Sequence, residues 1–207
     1  MRILVGIPCG DTLVVPFHNT FGQALRGDYK IEVTTVNGMN TVSARNKIVR
    51  KALDGKFDYI FFMDSDMSFP PNTLDNLIKR DKDIVGGFYM RKKGGYLPNA
   101  FMLGSVDGDK FLTQFVTELT EVEAVGTGCM LIKTEVFKNI EMPWFEYWTN
   151  SSPEGHVMTE DIVFCEKAKS AGYKIFCDGE IRCGHVGMFI VTPIVKDGRQ
   201  EVVIDPV

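Results

Sequence analysis

Residues 2–90 contain four short apolar runs, and a stretch of helical character separates each run from the next. The runs are RILVGIP (2–8), KIEVTTVNG (30–38), DYIFFMD (58–64) and DIVGGFYM (83–90). Each is short, apolar or β-branched, and stops at turn residues such as Pro8-Cys9-Gly10-Asp11 or Asn37-Gly38, which marks strands. Between them, residues 13–27 and 41–55 close on Gly27 and Gly55, and residues 70–81 carry their prolines at the start, which marks helices. Thr41 is the expected cap of the second helix. Strands that alternate with helices at this spacing build βαβ units around a parallel sheet. The ligands of such sheets lie outside the carboxyl ends of the strands.

The pattern changes at about Lys92. Residues 96–116 predict a hairpin turning at Asp107-Gly108, and 125–137 a strand leading into a short helix. An aromatic loop (143–156) precedes a helix over 159–173, and 174–187 closes with a strand or two. A last hairpin is expected around Asp197-Gly198. With 207 residues, the expectation is one domain: a nucleotide-binding half at 1–91 and an acceptor-binding half at 92–207 that includes the C-terminal hairpin.

Composition narrows the partners. Acidic residues outnumber basic ones by 27 to 23, so no overall positive field gathers nucleic acid or anionic lipid. A phosphate-bearing partner must be met locally, by a metal or a few placed cations. The five cysteines form no CxxC pair and predict free buried thiols in a reducing compartment. Cys177, Cys183 and His185 do not have a standard zinc spacing. No apolar run reaches the ~20 residues of a membrane span, and the apolar part of the N-terminus is too short for a signal peptide. The expectation is a cytoplasmic protein.

Three short stretches carry the chemistry. The third run ends on Asp64-Ser65-Asp66, two carboxylates at a strand end, the oxygen donors that Mn²⁺ or Mg²⁺ shares with substrate phosphates. The alternative is a solvated turn. Thr159 is the expected N-cap of the late helix, which sets Glu160 and Asp161 in its first turn, where the helix dipole favours anions for stability alone or for chemistry. His185 stands between Gly184 and Cys183 on one side and Val186 and Gly187 on the other, in a chain with three histidines.

Three further stretches supply charge and aromatic surface. On a helical wheel of residues 42–53, Arg45 falls on the face of Val42, Ala44, Ile48, Val49, Ala52 and Leu53. An unpaired charge there is costly, so Arg45 must reach a buried carboxylate or a ligand. Arg91, Lys92 and Lys93 form either a solvated basic loop or a lid over a diphosphate. Trp144, Phe145, Tyr147 and Trp148 suit either sugar stacking or core packing.

The ordered set of D-x-D, T-E-D, a later histidine and Ala44-Arg45-Asn46 on the second helix resembles the GT-A glycosyltransferases, the family-2-like enzymes in particular. The resemblance runs from the first strand to about Gly187. It implies an α/β GT-A fold: a Rossmann-like, mostly parallel sheet with a smaller antiparallel part. It also implies a metal-dependent hexosyltransferase that moves a sugar from a nucleotide-diphospho-sugar, UDP by family frequency, to an acceptor hydroxyl with inversion. Asp64, Asp66 and His185 would hold Mn²⁺ or Mg²⁺. Pro8, Cys9, Asn37, Arg45, Asn46, Asp64, Ser65 and Arg91 would meet the donor, with Asn37 near the place of a base-reading aspartate. Asp161 would be the general base, with Glu160 beside it. Rival readings are a sugar nucleotidyltransferase, a haloacid-dehalogenase-type phosphatase and a catalytically silent carbohydrate-binding protein. Nucleic acid and membrane spans are not expected, and a homodimer stays open.

Overall fold

A computed structural model describes residues 1–10, 12–92, 97–106, 109–149, 157–187, 189–197 and 199–206; residues 103–106, 109–111, 157, 189–191 and 204–206 are described in backbone only. The expected turn at Asp107-Gly108, Gly198 of the last hairpin, Lys93 and residues 150–156 of the aromatic loop lie outside the described residues.

The first half runs β1 (Arg2–Pro8), α1 (Val15–Ala24), β2 (Lys30–Val36), α2 (Thr41–Asp54) and β3 (Tyr59–Met63). It continues with β4 (Met67–Ser68), α3 (Thr73–Lys79) and β5 (Ile84–Phe88). After it come β6 (Ala100–Val106), β7 (Asp109–Thr113), β8 (Leu119–Val122), β9 (Ala124–Val125), β10 (Cys129–Lys133) and α4 (Thr134–Lys138). The chain ends with β11 (Trp148–Thr149), β12 (Val157–Met158), α5 (Glu160–Ser170), β13 (Ile175–Arg182), β14 (Gly184–Val186), β15 (Phe189–Lys196) and β16 (Arg199–Pro206).

Seven strands form the central sheet in the order β2-β1-β3-β10-β5-β13-β8. β1 pairs in parallel with β2 and β3, and β5 with β13. β10 runs antiparallel between β3 and β5, and β8 antiparallel beside β13. Both are departures from a purely parallel sheet, supplied by the second half of the chain. β6 carries β7 on one side and β9 on the other, while β4, β14, β15 and β16 make a four-stranded sheet.

The pleat divides the core. In β3, Ile60 and Phe62 face one side, where they join Ala44 and Ile48 of α2, Phe137 of α4 and Phe164 of α5. Phe61 and Met63 face the other, with Phe17 of α1 and Leu74 and Leu77 of α3. Gly6 of β1 lets α2 come close: a Cβ there would stand 2.5 Å from Ile48 Cγ2. The cap of α2 is Asn40 rather than Thr41, its side chain accepting from Ser43 N–H at 2.8 Å.

β4 has no signature in the sequence because two residues are too few to show a period. It decides the site nonetheless. β4 pairs antiparallel with β14, placing His185 opposite Met67, and Val186 N–H donates to the Asp66 carbonyl at 2.7 Å.

Candidate active site

The two aspartates project from a turn at the carboxyl end of β3. Asp64 N–H donates to the Gly128 carbonyl at 3.0 Å, and Met67 N–H returns to the Asp64 carbonyl at 3.2 Å. This leaves both carboxylates at the rim of the sheet, where both line one cleft.

Asp64 meets Arg45. The Arg45 Nη2 stands 3.0 and 3.1 Å from the two Asp64 oxygens, and Nη1 donates to Glu160 Oε1. Arg45 is 3% exposed. Burial alone would lower its affinity for a proton, but Asp64 and Glu160 outweigh burial and raise it. The partner that the apolar face of α2 demanded is therefore a pair of carboxylates, one from D-x-D and one from T-E-D. Arg45 Nε is buried without a hydrogen-bond partner.

Asp66 meets His185 and Lys92. His185 Nε2 lies 3.6 Å from Asp66 Oδ1, and Lys92 Nζ bonds Asp66 Oδ2 and, at 3.2 Å, the Val186 carbonyl. Burial pushes the Asp66 carboxyl up, but His185 and Lys92 outweigh it and hold it at about 2. His185 Nδ1 is 3.0 Å from the Met90 carbonyl, which can only accept. Nδ1 therefore donates to that carbonyl, and Nε2 is the ring nitrogen that faces Asp66.

At the start of α5, Thr159 occupies the N-cap position, but its hydroxyl bonds Asp161 Oδ1 instead of the backbone. The same oxygen accepts Ile162 N–H at 2.9 Å, and among the described residues Asp161 Oδ2 has no donor. Glu160 is buried, and its carboxyl is raised by desolvation against the opposing pull of Arg45.

A cleft of about 410 Å³ opens beside this rim, lined by Pro8, Cys9, Gly10, Met39, Asn40, Thr41, Asp64, Ser65, Asp66 and Tyr147. Pro8, Cys9, Asp64, Ser65 and Asp66 were expected there. Asn37 is exposed beyond the end of β2, and Met39, Asn40 and Thr41 take the lining. Asn46 faces the aromatic loop, donating to Phe145 O at 2.7 Å and accepting from Phe145 N–H at 3.1 Å. Arg91 lies over the Phe101 ring at 5.3 Å, away from the cleft lining. The aromatic loop divides: Trp144 and Phe145 are core, while Tyr147 and Trp148 are half exposed. Sequence reasoning missed the bond from Lys92 to Asp66 and the contribution of Tyr147 to the cleft. A basic turn gives no sign of which carboxylate it will reach.

Among the described residues, no three acidic, histidine or cysteine side chains gather into a ready metal cluster. The donor set nevertheless suits Mn²⁺ or Mg²⁺. Asp66 Oδ1 and His185 Nε2 converge, a lysine ammonium already stands on Asp66 as a cation would, and donor phosphates would supply further oxygens. Asp64 is the weaker candidate ligand because Arg45 occupies both its oxygens.

Comparison with known proteins decides the family. The model of "Glycosyl transferase family 2" matches residues 14–141, well over half the chain and the part that contains α2, D-x-D and the strand ends around them. The chain belongs to glycosyl transferase family 2. Its fold is that of the GT-A glycosyltransferases, a large mostly parallel sheet with small antiparallel sheets. A197 from STIV is similar at 18% identity over 100% of this chain and 95% of that one, with a TM-score of 0.62. The structure of GalNAc-T7 with UDP, GalNAc and Mn²⁺ is similar at 14% identity, with a TM-score of 0.58, over 90% of this chain. This family-2 chain spans 44% of the GalNAc-T7 chain. No curated protein sequence matches. Among the described residues of this glycosyltransferase, no helix is long and apolar enough to cross a membrane.

Proposed function

We propose that the protein transfers a hexose from a nucleotide-diphospho-sugar to an acceptor hydroxyl, with a divalent cation held by Asp66 and His185. The observation that carries this reading is the convergence of Asp66 Oδ1 and His185 Nε2 at the carboxyl edge of the sheet. Charge supports it. Among the described residues, the carboxylates of Asp64, Asp66, Glu160 and Asp161 are met by two lysine or arginine cations, Arg45 and Lys92, so acidic groups outnumber these cations there. A diphosphate entering that field is repelled unless a dication neutralises it.

When bound, Mn²⁺ or Mg²⁺ supplies Lewis-acid stabilisation of the departing diphosphate. The protein supplies placement. The cleft from Pro8 to Tyr147 receives the nucleotide, with a UDP donor favoured by the presence of UDP in the GalNAc-T7 structure. Lys92 is free to move from Asp66 to the diphosphate once the dication takes its place. Asp161 Oδ2 accepts the acceptor hydroxyl proton as that oxygen bonds the sugar's anomeric carbon and the bond to phosphate breaks on the opposite side, inverting the centre. Glu160 pairs with Arg45 and contributes to holding α5 rather than to proton transfer.

A thermal-shift and donor-hydrolysis screen of UDP-, GDP-, CDP- and dTDP-sugars with and without Mn²⁺ tests the reading. A Mn²⁺-dependent response to UDP-sugars that His185→Ala weakens at least tenfold is expected. Equal response with and without metal would end the metal reading, and no response to any nucleotide-sugar would end the donor reading.

A further inference from the structure

The D-x-D turn leaves the central sheet at Asp64 and enters the four-stranded sheet of His185 after Asp66, and one side chain touches the supports of Asp64 and of His185. Tyr89 follows β5 directly and is 6% exposed. Its ring stands edge-on to the His185 imidazole, with centroids 5.5 Å apart and planes at 90°. The next residue supplies the Met90 carbonyl that fixes His185 Nδ1 at 3.0 Å. At its other end, the Tyr89 phenol oxygen accepts Gly128 N–H at 3.1 Å, and the Gly128 carbonyl accepts Asp64 N–H at 3.0 Å. From ring to hydroxyl, Tyr89 spans the gap between the histidine and the first residue of D-x-D.

The surroundings are shaped to that phenol. A Cβ on Gly126 would collide with the hydroxyl, and one on Gly128 would stand 3.0 Å from it. Asn99, 1% exposed, ties the strand that carries Tyr89 to the loop that receives it. Its side-chain oxygen accepts Tyr89 N–H, its own N–H donates to the Tyr89 carbonyl, and its carbonyl accepts Gly126 N–H, all at 3.0 Å. The Asn99 amide also donates to the Gly87 carbonyl at 3.0 Å. A phenylalanine would fill the same apolar volume. A buried hydroxyl is tolerated only because it is bonded, and it is bonded to the loop that holds Asp64.

We propose that Tyr89 is the positioning residue of the metal site: it sets the separation of the D-x-D turn from His185, so that Asp66 and Nε2 meet one ion. The inference rests on the metal reading above. Metal-ligand supports of this kind are generally worth ten- to a hundredfold in affinity. Without the phenol, Gly128 N–H is buried with no acceptor, the 126–128 loop relaxes, and the turn shifts against a histidine that stays in place.

The test measures Mn²⁺ affinity in the presence of UDP, by calorimetry and by the Mn²⁺ paramagnetic resonance spectrum, at a temperature where every variant is folded. Tyr89→Phe should weaken Mn²⁺ at least tenfold and change the spectrum, a larger loss than in UDP binding measured without metal. Gly126→Ala displaces the phenol without deleting it and should weaken Mn²⁺ in the same sense, so the inference is tested even if Tyr89→Phe does not fold. A folded variant with a lowered melting temperature but wild-type Mn²⁺ affinity and spectrum would reduce Tyr89 to a packing residue and overturn the inference alone. A wild-type protein that binds no Mn²⁺ with UDP would overturn the metal reading, and this inference with it.

Discussion

Arg45 donates from Nη1 to Glu160, a residue 115 positions further along the chain. The same guanidinium holds Asp64 at 3.0 Å, so one buried cation joins α2, the end of β3 and the start of α5. Removing one partner of a buried pair leaves the others charged and desolvated. Arg45→Met should destabilise the protein by about 3 kcal/mol, the lower end for such pairs, because Asp64 keeps some contact with water. Arg45→Met with Glu160→Gln should recover roughly half, read by urea unfolding at neutral pH. An Arg45→Met protein as stable as wild type would show that the three charges contribute nothing net.

Lys92 holds Asp66, the carboxylate proposed to bind the dication. Lys92→Met should therefore raise Mn²⁺ affinity several-fold when no donor is present, by removing a competitor. The same variant should bind the complete nucleotide-sugar more weakly, because a cation for the diphosphate is gone. Calorimetry in the two conditions gives opposite signs if Lys92 changes partners, and the same sign if it does not.

Asp161→Asn should lower turnover by about a hundredfold to ten-thousandfold, the usual worth of a positioned general base, with donor binding little changed. The anomeric configuration of the product should be inverted in the wild type. Retention, or near-normal turnover by the Asn variant, would leave Asp161 with no role in proton transfer.

Acid should expose the Asp66 contacts. Its folded-state affinity for protons is depressed to about 2, below the ordinary carboxylate range, so the stabilisation is fully present above about pH 4. It is lost as pH falls through about 2, because the unfolded chain then binds the proton that the folded chain resists. Melting temperature measured against pH should fall less steeply across this window in Asp66→Asn than in the wild type.

The readable parts of this chain were those in which a local pattern sufficed. β1, β3 and α2 follow from runs and faces, and Arg45 declared its need for a partner by falling among Ala44, Ile48 and Val49. Of the candidate residues, Pro8, Cys9, Asp64, Ser65 and Asp66 line one cleft while Asn37, Asn46 and Arg91 do not, and no local pattern separates the two groups. Nothing in Met67-Ser68 predicts a strand, yet that pairing is what brings His185 to Asp66. Asn46 and Asn99 look alike as isolated polar residues. One ties down the aromatic loop and the other braces Tyr89, and only the tertiary fold distinguishes them. β10 lies antiparallel because pairing between distant segments, rather than local propensity, fixed its direction.

That strand has a consequence for how the protein comes into being. On a ribosome, β3 and β5 emerge long before β10, and the place between them cannot be closed by anything yet synthesised. The nascent chain must carry the β2-β1-β3 fragment with an open edge, and β5 without either of its sheet neighbours, until β10 and then β13 arrive. Maturation of the fold should therefore be late and abrupt, and sensitive to chaperone supply. A chain cut after residue 91 should not yield a stable donor-binding fragment. Co-expression of residues 1–91 and 92–207, by contrast, should allow the missing strand to be supplied from outside.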